Sequence, residues 1–534
     1  METTDIVVIG GGPAGSTAAS MSARAGLSVV LLERERFPRD HVGESLLPAS
    51  MPILEELGVY SRIADAGFPP KYGATMVWGK DNTPWTWRFA ETNNTYKHSY
   101  QVSRRDFDLI LLNRSRELGV DVREECTVNK ILSDGDRIVG VEYQDREDNR
   151  VSLMARFVID GSGQSAIISR LKGARKWDKN FRNLAVYAYF KGIARLPSPD
   201  QNNIFVESYA DGWIWNIPLK DGLSSVGAVV DAKKATKVLK HQSIQEFFEN
   251  QISATSHNRE MIKIAEQVGH PTVVRDWSYI SEEMAGPGWA SAGDAACFID
   301  PLFSSGVHIA LMSGILSSAY AVTSLESPDM SEPTAAVYQE MILREYSLFR
   351  ELANLFYESN RSIDSYFWEA RRIAGTREDT DARSAFVRAV SGQSVRGYER
   401  AVLERGDLPN TVSLALDGVA KELKMRQDVL HNIGSSIPDA VPVLHPDTRI
   451  VRKPVLSEGR FEYGVLLYSP GRIEGTVCSR FVEMLVNYID GCSTVKQITK
   501  RLATQAENTS EEALRDYVKE AIKILYFEGA IQRL

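Results

Sequence analysis

The residues with the clearest chemical meaning form a glycine-rich loop near the start of the chain. The loop, Gly10-Gly-Gly-Pro-Ala-Gly15, follows a short β-branched apolar run and precedes small residues at helical spacing. In such a strand–turn–helix unit the first glycine permits the turn, the second lets the backbone approach a pyrophosphate, and the third lets helix and strand pack closely. The spacing therefore predicts a dinucleotide at the helix N terminus. The residues predicted to contact it are Gly10, Gly12, Pro13, Ala14 and Gly15.

Three acidic residues at predicted strand ends extend this site. The apolar run Leu27–Leu32 ends in Glu33, at the distance where an acid accepts hydrogen bonds from a ribose. Two further apolar runs end in Asp160 and in Gly293-Asp294. Because such strand ends can converge on one edge of an open α/β sheet, where ligands bind, we expect these acids to lie near the dinucleotide.

Two tryptophans and a serine pair indicate a second region of chemical interest. Trp213 and Trp215 alternate along a predicted strand, and by themselves such bulky apolar residues are best explained as part of a core. Ser304, Ser305 and Gly306 precede a long uncharged run, and consecutive backbone N–H groups at such a helix N terminus bind anions. A plain capping turn is equally compatible with that spacing.

The composition excludes several classes of protein. The chain has 534 residues, 43% of them hydrophobic and 25% charged, which excludes a small module and wholesale disorder. A net charge of −8 gives no general electrostatic reason to bind nucleic acid or an anionic membrane. The four cysteines lack paired spacing, so neither a disulfide framework nor a metal site is predicted. Without a leader before Asp5 we expect a cytoplasmic protein, and the uncharged run over 306–325 favours a buried helix over a membrane span.

The pattern along the chain predicts an α/β protein of several parts. A Rossmann-like core over 1–375 carries a β-rich insertion at about 184–280, where alternating and aromatic strands follow one another. Residues 376–440 are charged and broken by Gly and Pro, which predicts a helical linker region. Residues 441–534 predict three short helices and a small strand, the pattern of a winged-helix domain.

Taken together, the motifs resemble those of FAD enzymes of the para-hydroxybenzoate-hydroxylase type, and among them the flavin-dependent halogenases. The general resemblance rests on Gly10–Gly15 with Glu33, Arg104-Arg-Asp-Phe-Asp108, Asp160-Gly and Gly293-Asp294. The halogenase resemblance rests on Gly212-Trp-Ile-Trp-Asn-Ile-Pro218, Phe298-Ile-Asp-Pro-Leu-Phe-Ser-Ser-Gly306 and Lys71. It covers about residues 1–375, and the segment Phe356–Trp368 looks most like the branch that acts on phenols and pyrroles.

The resemblance implies roles for individual residues. Lys71 lies where the family places its catalytic lysine, and Glu44 falls in a segment that runs near the flavin, where it would be an active-site carboxylate. Trp213 and Trp215 would separate flavin from substrate. The halide would lie at Ser304, Ser305 and Gly306. The further residues that would contact FAD are Arg104, Asp160, Gly293, Asp294, Pro301 and Gly306.

The implied reaction uses FADH2 from a separate flavin reductase, oxygen, and chloride or bromide. Hypohalous acid guided to Lys71 would halogenate an electron-rich aromatic compound, a phenol or pyrrole that is free or tethered to a carrier protein. An aromatic monooxygenase or a reductase of the same fold is the alternative. For the C-terminal domain, recognition of a carrier protein or peptide and simple packing on the enzyme remain open.

Overall fold

The opening strand, helix and second strand form where the glycine-rich loop predicts them. The computed structural model describes residues 2–79, 83–358, 366, 369–370, 373, 381–392, 429–430, 436–470, 475–504 and 511–534. The opening unit consists of β1 (Glu2–Ile9), α1 (Pro13–Arg24) and β2 (Val29–Leu32). The last four residues of β1 and all of β2 are buried, as expected for the apolar strands of a parallel sheet.

Further strands and helices follow in chain order. The strands are β3 (Pro70–Lys71), β4 (Gly73–Val77), β5 (Pro84–Arg88), β6 (Ser99–Tyr100), β7 (Asp121–Arg123), β8 (Thr127–Asp134), β9 (Arg137–Gln144), β10 (Arg150–Asp160), β11 (Arg175–Lys191), β12 (Ile204–Tyr209), β13 (Gly212–Pro218), β14 (Leu223–Asp231), β15 (Glu266–Ser281), β16 (Ala285–Gly286), β17 (Trp289–Ser291), β18 (Cys297–Phe298), β19 (Val443–Leu444), β20 (Arg449–Ser457), β21 (Arg460–Tyr468), β22 (Thr476–Cys478) and β23 (Ile531–Arg533). The helices are α2 (Met51–Glu56), α3 (Tyr60–Asp65), α4 (Arg104–Glu117), α5 (Ile167–Leu171), α6 (Ala232–Val238), α7 (Ile244–Ser253), α8 (His257–Ile262), α9 (Ser305–Glu326), α10 (Ser331–Glu358), α11 (Ala382–Val390), α12 (Arg480–Tyr488), α13 (Val495–Ala503) and α14 (Glu511–Phe527).

A largely parallel sheet carries the predicted dinucleotide loop. Its strand order is β16-β17-β10-β1-β2-β7, and β8 and β9 join it as an antiparallel extension on β10. The register pairs Ile9 with Asp160 and Asp160 with Ser291. The strand ends that carry the glycine loop, Asp160 and the Gly293 turn are therefore side by side, which confirms the convergence expected from the sequence.

The β-rich insertion forms a second, mainly antiparallel sheet. Its order is β18-β15-β11-β14-β13-β12-β4-β5, with one parallel pair between β12 and β4. The strands β4, β5 and β18 come from outside the predicted insertion, so the sheet gathers residues from a longer stretch of chain. A separate two-stranded pair, β3 with β6, places Lys71 opposite Ser99.

Helix α9 lies in the interior of the protein. It is apolar and long enough to cross a membrane, but 94% of its most apolar window is buried by the rest of the fold. At Gly314 a methyl group would come within 2.7 Å of the Ala14 carbonyl oxygen, so the glycine lets α9 pack directly on α1. The uncharged run is a core helix, as the sequence predicts.

Contacts divide the chain into two units. The first comprises 1–374, 382–405 and 456–461, and the second comprises 375–381, 406–455 and 462–534. In the second unit, α12, α13 and α14 surround an apolar core with the small strand β23. The winged-helix assignment and the boundaries at 375 and 440 stay predictions, and most of the predicted linker over 376–440 lies outside the described residues.

Candidate functional site

The glycine loop is held in a conformation that side chains would disrupt. Gly10 has φ +99°, and a Cβ on it would lie 2.4 Å from the Gly161 carbonyl oxygen. A Cβ on Gly15 would lie 1.9 Å from the Gly10 carbonyl oxygen. Both distances are far below van der Waals contact, so glycine is required for the turn and for the close approach of α1 to β1.

The N terminus of α1 offers hydrogen-bond donors to an anion. Its N-cap residue, Gly12, is extended and makes no side-chain capping bond, and Pro13 occupies the first helical position. Arg39 lies beside this helix N terminus: a Cβ placed on Gly12 would be 3.5 Å from the Arg39 guanidinium. Within the described residues, Nη1 of Arg39 is buried and has no hydrogen-bond partner. The other nitrogens of this guanidinium lie 3.4 Å from Asp108 and 3.9 Å from Glu35, so Nη1 is the atom left for a ligand. A helix N terminus next to such a donor fits a pyrophosphate, as an FAD site requires.

Glu33 closes the other side of the loop. Its Oε2 accepts a hydrogen bond from the Gly11 N–H at 2.6 Å, and its Oε1 accepts one from the Glu35 N–H at 2.8 Å. The carboxylate is buried and fixed by the backbone, with remaining lone pairs on both oxygens. Its place at the end of β2 fits the predicted role toward a ribose, which stays a prediction.

The turn after β17 brings Gly293 and Asp294 to the same edge. Gly293 has φ +60°, and a Cβ there would lie 3.0 Å from the Cβ of Ala14. Burial raises the pKa of the Asp294 carboxyl to about 6, and the positive charge of Arg104 opposes that rise. The structure therefore brings together the glycine loop, Glu33, Gly293, Asp294 and Arg104.

Asp160 and Arg104 are already engaged by protein groups. Asp160 accepts hydrogen bonds from the N–H groups of Ser162 at 3.1 Å and Ile168 at 2.8 Å, so its carboxylate orders the turn after β10. Arg104 donates two hydrogen bonds to Asp108 and one each to the carbonyl oxygens of Val42 and Gly43. Through these contacts Asp160 and Arg104 hold the surrounding protein groups in place. Direct contact with FAD stays a prediction for each residue.

Lys71 is a fully buried amine. It is 2% exposed, its Nζ donates to the Leu46 carbonyl oxygen at 2.9 Å, and the same nitrogen lies 5.4 Å from the centre of the Phe89 ring. Burial lowers its pKa to about 7. No neighbouring carboxylate of the described residues offsets this effect of burial on the pKa. The amine can therefore hold or release a proton near neutral pH.

Lys71 and Ser304 face the same small cavity, although 233 positions separate them in the sequence. Apart from these two, the lining that the structure describes is aliphatic or aromatic. It comprises Leu47, Ala74, Met76, Trp87, Phe89, Ile204, Val206, Leu302, Phe303 and Val390. The open space between these side chains is only about 10 Å³, room for about one water molecule, so a ring would enter only with movement of the lining side chains.

The predicted halide residues lie at the start of α9. Ser304 has φ +58° and forms the N-cap without a side-chain capping bond, Ser305 is buried, and Gly306 is exposed. The preceding turn, Pro301–Phe303, is capped by Asp300, whose Oδ1 accepts from the Leu302 N–H at 2.9 Å. The geometry is that of a helix N terminus open to an anion, and halide binding there stays a prediction.

Trp213 and Trp215 point to one face of β13. Their ring centres are 6.0 Å apart and both side chains are buried. Trp215 lies across Gly227 of the neighbouring strand, where a Cβ would come within 2.1 Å of its ring. Trp213 lies 6.4 Å from Trp78, which belongs to a larger aromatic cluster with Phe356. The two buried rings form a wall along the strand, and its predicted role of separating flavin from substrate stays a prediction.

Glu44 lies on the segment that leads to the Lys71 cavity. Its carboxylate accepts hydrogen bonds from the Tyr189 hydroxyl at 3.0 Å and from the Gly43 N–H at 3.2 Å. Burial raises its pKa. Because Leu46 and Leu47, two and three residues further on, contact Lys71 or line its cavity, a short stretch of backbone connects the two groups.

Sequence reasoning missed several residues of these sites. Arg39 was not singled out, although three arginines follow Glu33 within six positions and such a cluster is a signal for phosphate. Asp300 lies inside the quoted motif, and an aspartate before a proline is a helix-start signal. Tyr357, which contacts Asp300, carries no local signal that distinguishes it from other core tyrosines.

The parallel sheet, with the glycine loop and the acids gathered at one of its edges, is that of an FAD-binding α/β enzyme of the para-hydroxybenzoate-hydroxylase type. A family model described as tryptophan halogenase matches residues 5–99 and 91–407. The chain belongs to the flavin-dependent halogenase family, and it is an enzyme that uses FAD. The fold class and family expected from the motifs are confirmed.

Similar proteins act on different aromatic compounds. Tryptophan 2-halogenase of Chondromyces crocatus is 33% identical over 419 residues, covering 76% of this chain and 77% of that protein. The chlorinase of 1H-pyrrole-2-carbonyl peptidyl-carrier protein from Pseudomonas fluorescens is 31% identical over 392 residues, covering 69% of this chain and 86% of that protein. Among solved structures, the myxobacterial chondrochloren halogenase CndH shares 40% identity with a TM-score of 0.66, covering 74% of this chain and 91% of that one.

Proposed function

We propose that this halogenase places chlorine or bromine on an uncharged, electron-rich ring, a phenol or a pyrrole, and that Lys71 directs the electrophile. The carrying observation is the cavity in which the buried amine of Lys71 faces apolar and aromatic side chains together with Ser304. An amine in such surroundings can hold a small polar oxidant next to a ring while water is kept away.

The residues of the chain divide the work between binding and orientation. When bound, reduced FAD supplies the reducing equivalents with which oxygen and halide yield hypohalous acid. The ammonium form of Lys71 donates a hydrogen bond to the oxygen of that acid and turns its halogen toward the ring. The ring carbon then forms a bond to halogen and loses its proton, and the oxygen leaves as water. Phenols and pyrroles are electron-rich, so this step needs no strong general base.

Two further groups support this step, one by separating ring from cofactor and one by binding the halide. The wall of Trp213 and Trp215 keeps the ring from reacting directly with the cofactor, and the α9 N terminus at Ser304 and Ser305 holds the halide. A separate flavin reductase supplies FADH2. Glu44, buried next to Tyr189, takes part as an active-site carboxylate on the flavin side.

Free tryptophan is the second candidate substrate, favoured by the relative from Chondromyces crocatus. Its carboxylate and ammonium would need charged or hydrogen-bonding partners, since burying unpaired charges is costly. The described lining of the Lys71 cavity offers only Lys71 and Ser304 for this purpose. That composition supports an uncharged ring over an amino acid.

The test supplies the protein with FAD, a flavin reductase and its nicotinamide reductant, oxygen, and chloride or bromide. Phenols, pyrroles and tryptophan are compared as free compounds, and the phenols and pyrroles also as carrier-protein thioesters, with products analysed by mass spectrometry. We expect halogen-for-hydrogen exchange on the uncharged rings. Turnover of tryptophan alone would overturn the proposed substrate class, and hydroxylated product without halogenated product would favour a monooxygenase.

A further inference from the structure

A chain of hydrogen bonds connects the tryptophan wall to the turn that precedes α9. The Nε1–H of Trp213 donates to the Tyr357 hydroxyl oxygen at 2.6 Å, and that hydroxyl donates to Oδ2 of Asp300 at 2.9 Å. Oδ1 of Asp300 in turn accepts from the Leu302 N–H at 2.9 Å. One buried carboxylate therefore contacts both the wall, through Tyr357, and the backbone just before Ser304.

Asn183 on β11 completes this network. Its side-chain amide lies 3.4 Å from Oδ2 of Asp300 and 3.3 Å from the Tyr357 hydroxyl. Trp213, Asp300 and Asn183 are all at least nine-tenths buried. Polar groups in such surroundings are costly to leave unpaired, which favours the paired arrangement, and the Tyr357 side chain that joins them is itself partly buried. The Tyr357 hydroxyl is the shared atom, because it accepts from the wall and donates to the carboxylate.

The network acts on two elements of the proposed reaction at once. The bond from Trp213 restricts rotation of its indole ring, which would otherwise be set by packing alone. Asp300 caps the Pro301–Phe303 turn, and that turn sets the position of Ser304, which has φ +58°. A change at Tyr357 would therefore alter the positions of both the tryptophan wall and the N-terminal end of α9, where the halide is proposed to bind.

We infer that Tyr357 is a positioning residue for halide use, holding Trp213 and the Asp300 turn in one arrangement. The inference rests on the proposed function, since it assigns the halide to the start of α9. Tyr357 acts through its neighbours and is not itself assigned to the reacting atoms.

The first variant is Tyr357→Phe, which removes the hydroxyl and keeps the ring. The ring packs 6.2 Å from Trp78 and 5.3 Å from Phe181, centre to centre, and these contacts survive the change. We expect the KM for halide to rise about tenfold, as loss of one hydrogen bond to a charged group predicts, while kcat falls by less than about threefold. Asp300→Asn should raise the halide KM in the same direction, and the double variant should exceed the larger single effect by little.

A matched control comes from the same helix. Tyr338 is buried in α10 and its hydroxyl donates to the Ser291 carbonyl oxygen at 2.6 Å, outside the network. Tyr338→Phe should leave the halide KM unchanged, which separates the network from the general loss of a buried tyrosine hydroxyl.

The outcomes separate the two levels of the argument. If wild-type protein halogenates and Tyr357→Phe behaves like Tyr338→Phe, the positioning role is wrong and the proposed function stands. Additive effects of Tyr357→Phe and Asp300→Asn would likewise overturn the network. A wild-type protein that forms no halogenated product with any ring would overturn the proposed function, and this inference with it.

Discussion

Replacing Lys71 with methionine should stabilise the protein at neutral pH while strongly lowering its halogenating activity. The amine is 2% exposed, and burial lowers its pKa from 10.5 to about 7. Between these values the unfolded chain binds the proton and the folded protein does not, so the wild-type protein becomes more stable as pH rises from 7 to 10. Methionine has a similar volume and no charge, so it avoids this cost.

The magnitude follows from the pKa difference. At 1.36 kcal/mol per pKa unit, the folded protein loses about 4 kcal/mol at pH 7 and about 1 kcal/mol at pH 10. The hydrogen bond to the Leu46 carbonyl oxygen offsets about 1 kcal/mol of this. Ser99 also donates to that oxygen at 2.8 Å, so the variant leaves no unpaired acceptor. We therefore expect Lys71→Met to gain about 3 kcal/mol at pH 7 and nearly nothing at pH 10.

The assay is urea unfolding followed by tryptophan fluorescence at both pH values. All nine tryptophans lie within residues 1–375, so the signal reports on the part of the chain that contains Lys71. Lys130→Met, at an exposed position on β8, is the control and should show no comparable pH-dependent difference. Halogenation should fall at least about a hundredfold, the range expected for loss of a group that acts in proton transfer or orientation.

Two results would refute this reasoning. If the difference in unfolding free energy between Lys71→Met and wild type is equal at pH 7 and pH 10, burial does not lower the pKa of the Lys71 amine. Retention of most of the halogenating activity would show that the amine does not direct the electrophile.

Three further changes test other parts of the structure. Gly15→Ala places a methyl group 1.9 Å from the Gly10 carbonyl oxygen, so it should destabilise the protein by at least about 1–3 kcal/mol and release FAD, measured by thermal melting and by flavin absorbance after gel filtration. Because burial raises the pKa of Glu44, the wild-type protein loses stability as pH rises above 4.5 through that raised value, and Glu44→Gln should gain more over wild type at pH 8 than at pH 4 in urea unfolding. Phe461 is 1% exposed in the core of the first unit, so Phe461→Ala should cost that unit about 3–5 kcal/mol by tryptophan fluorescence, and an unchanged transition would contradict its assignment there.

Local patterns predicted the nucleotide-binding half of the molecule well. The Gly10–Gly15 loop and Glu33 are encoded within one strand–helix–strand unit, where each residue's conformation depends on near neighbours. The alternation of Trp213 and Trp215 similarly predicts two rings on one face, because a strand repeats every two residues. The uncharged run over 306–325 also predicted a buried helix locally, because its length and apolar composition are properties of the segment itself.

Only the tertiary structure decided how the proposed reaction site is assembled. Nothing near Lys71 in the sequence indicates that it is buried opposite Ser304, and nothing near Phe461 indicates that it joins the core of the first unit. The hydrogen bonds from Trp213 through Tyr357 to Asp300 likewise join three distant segments. The physical reason is that local spacing determines which elements form and which faces are apolar. The burial of an amine, its lowered pKa and the partner of a hydroxyl depend instead on which elements pack together.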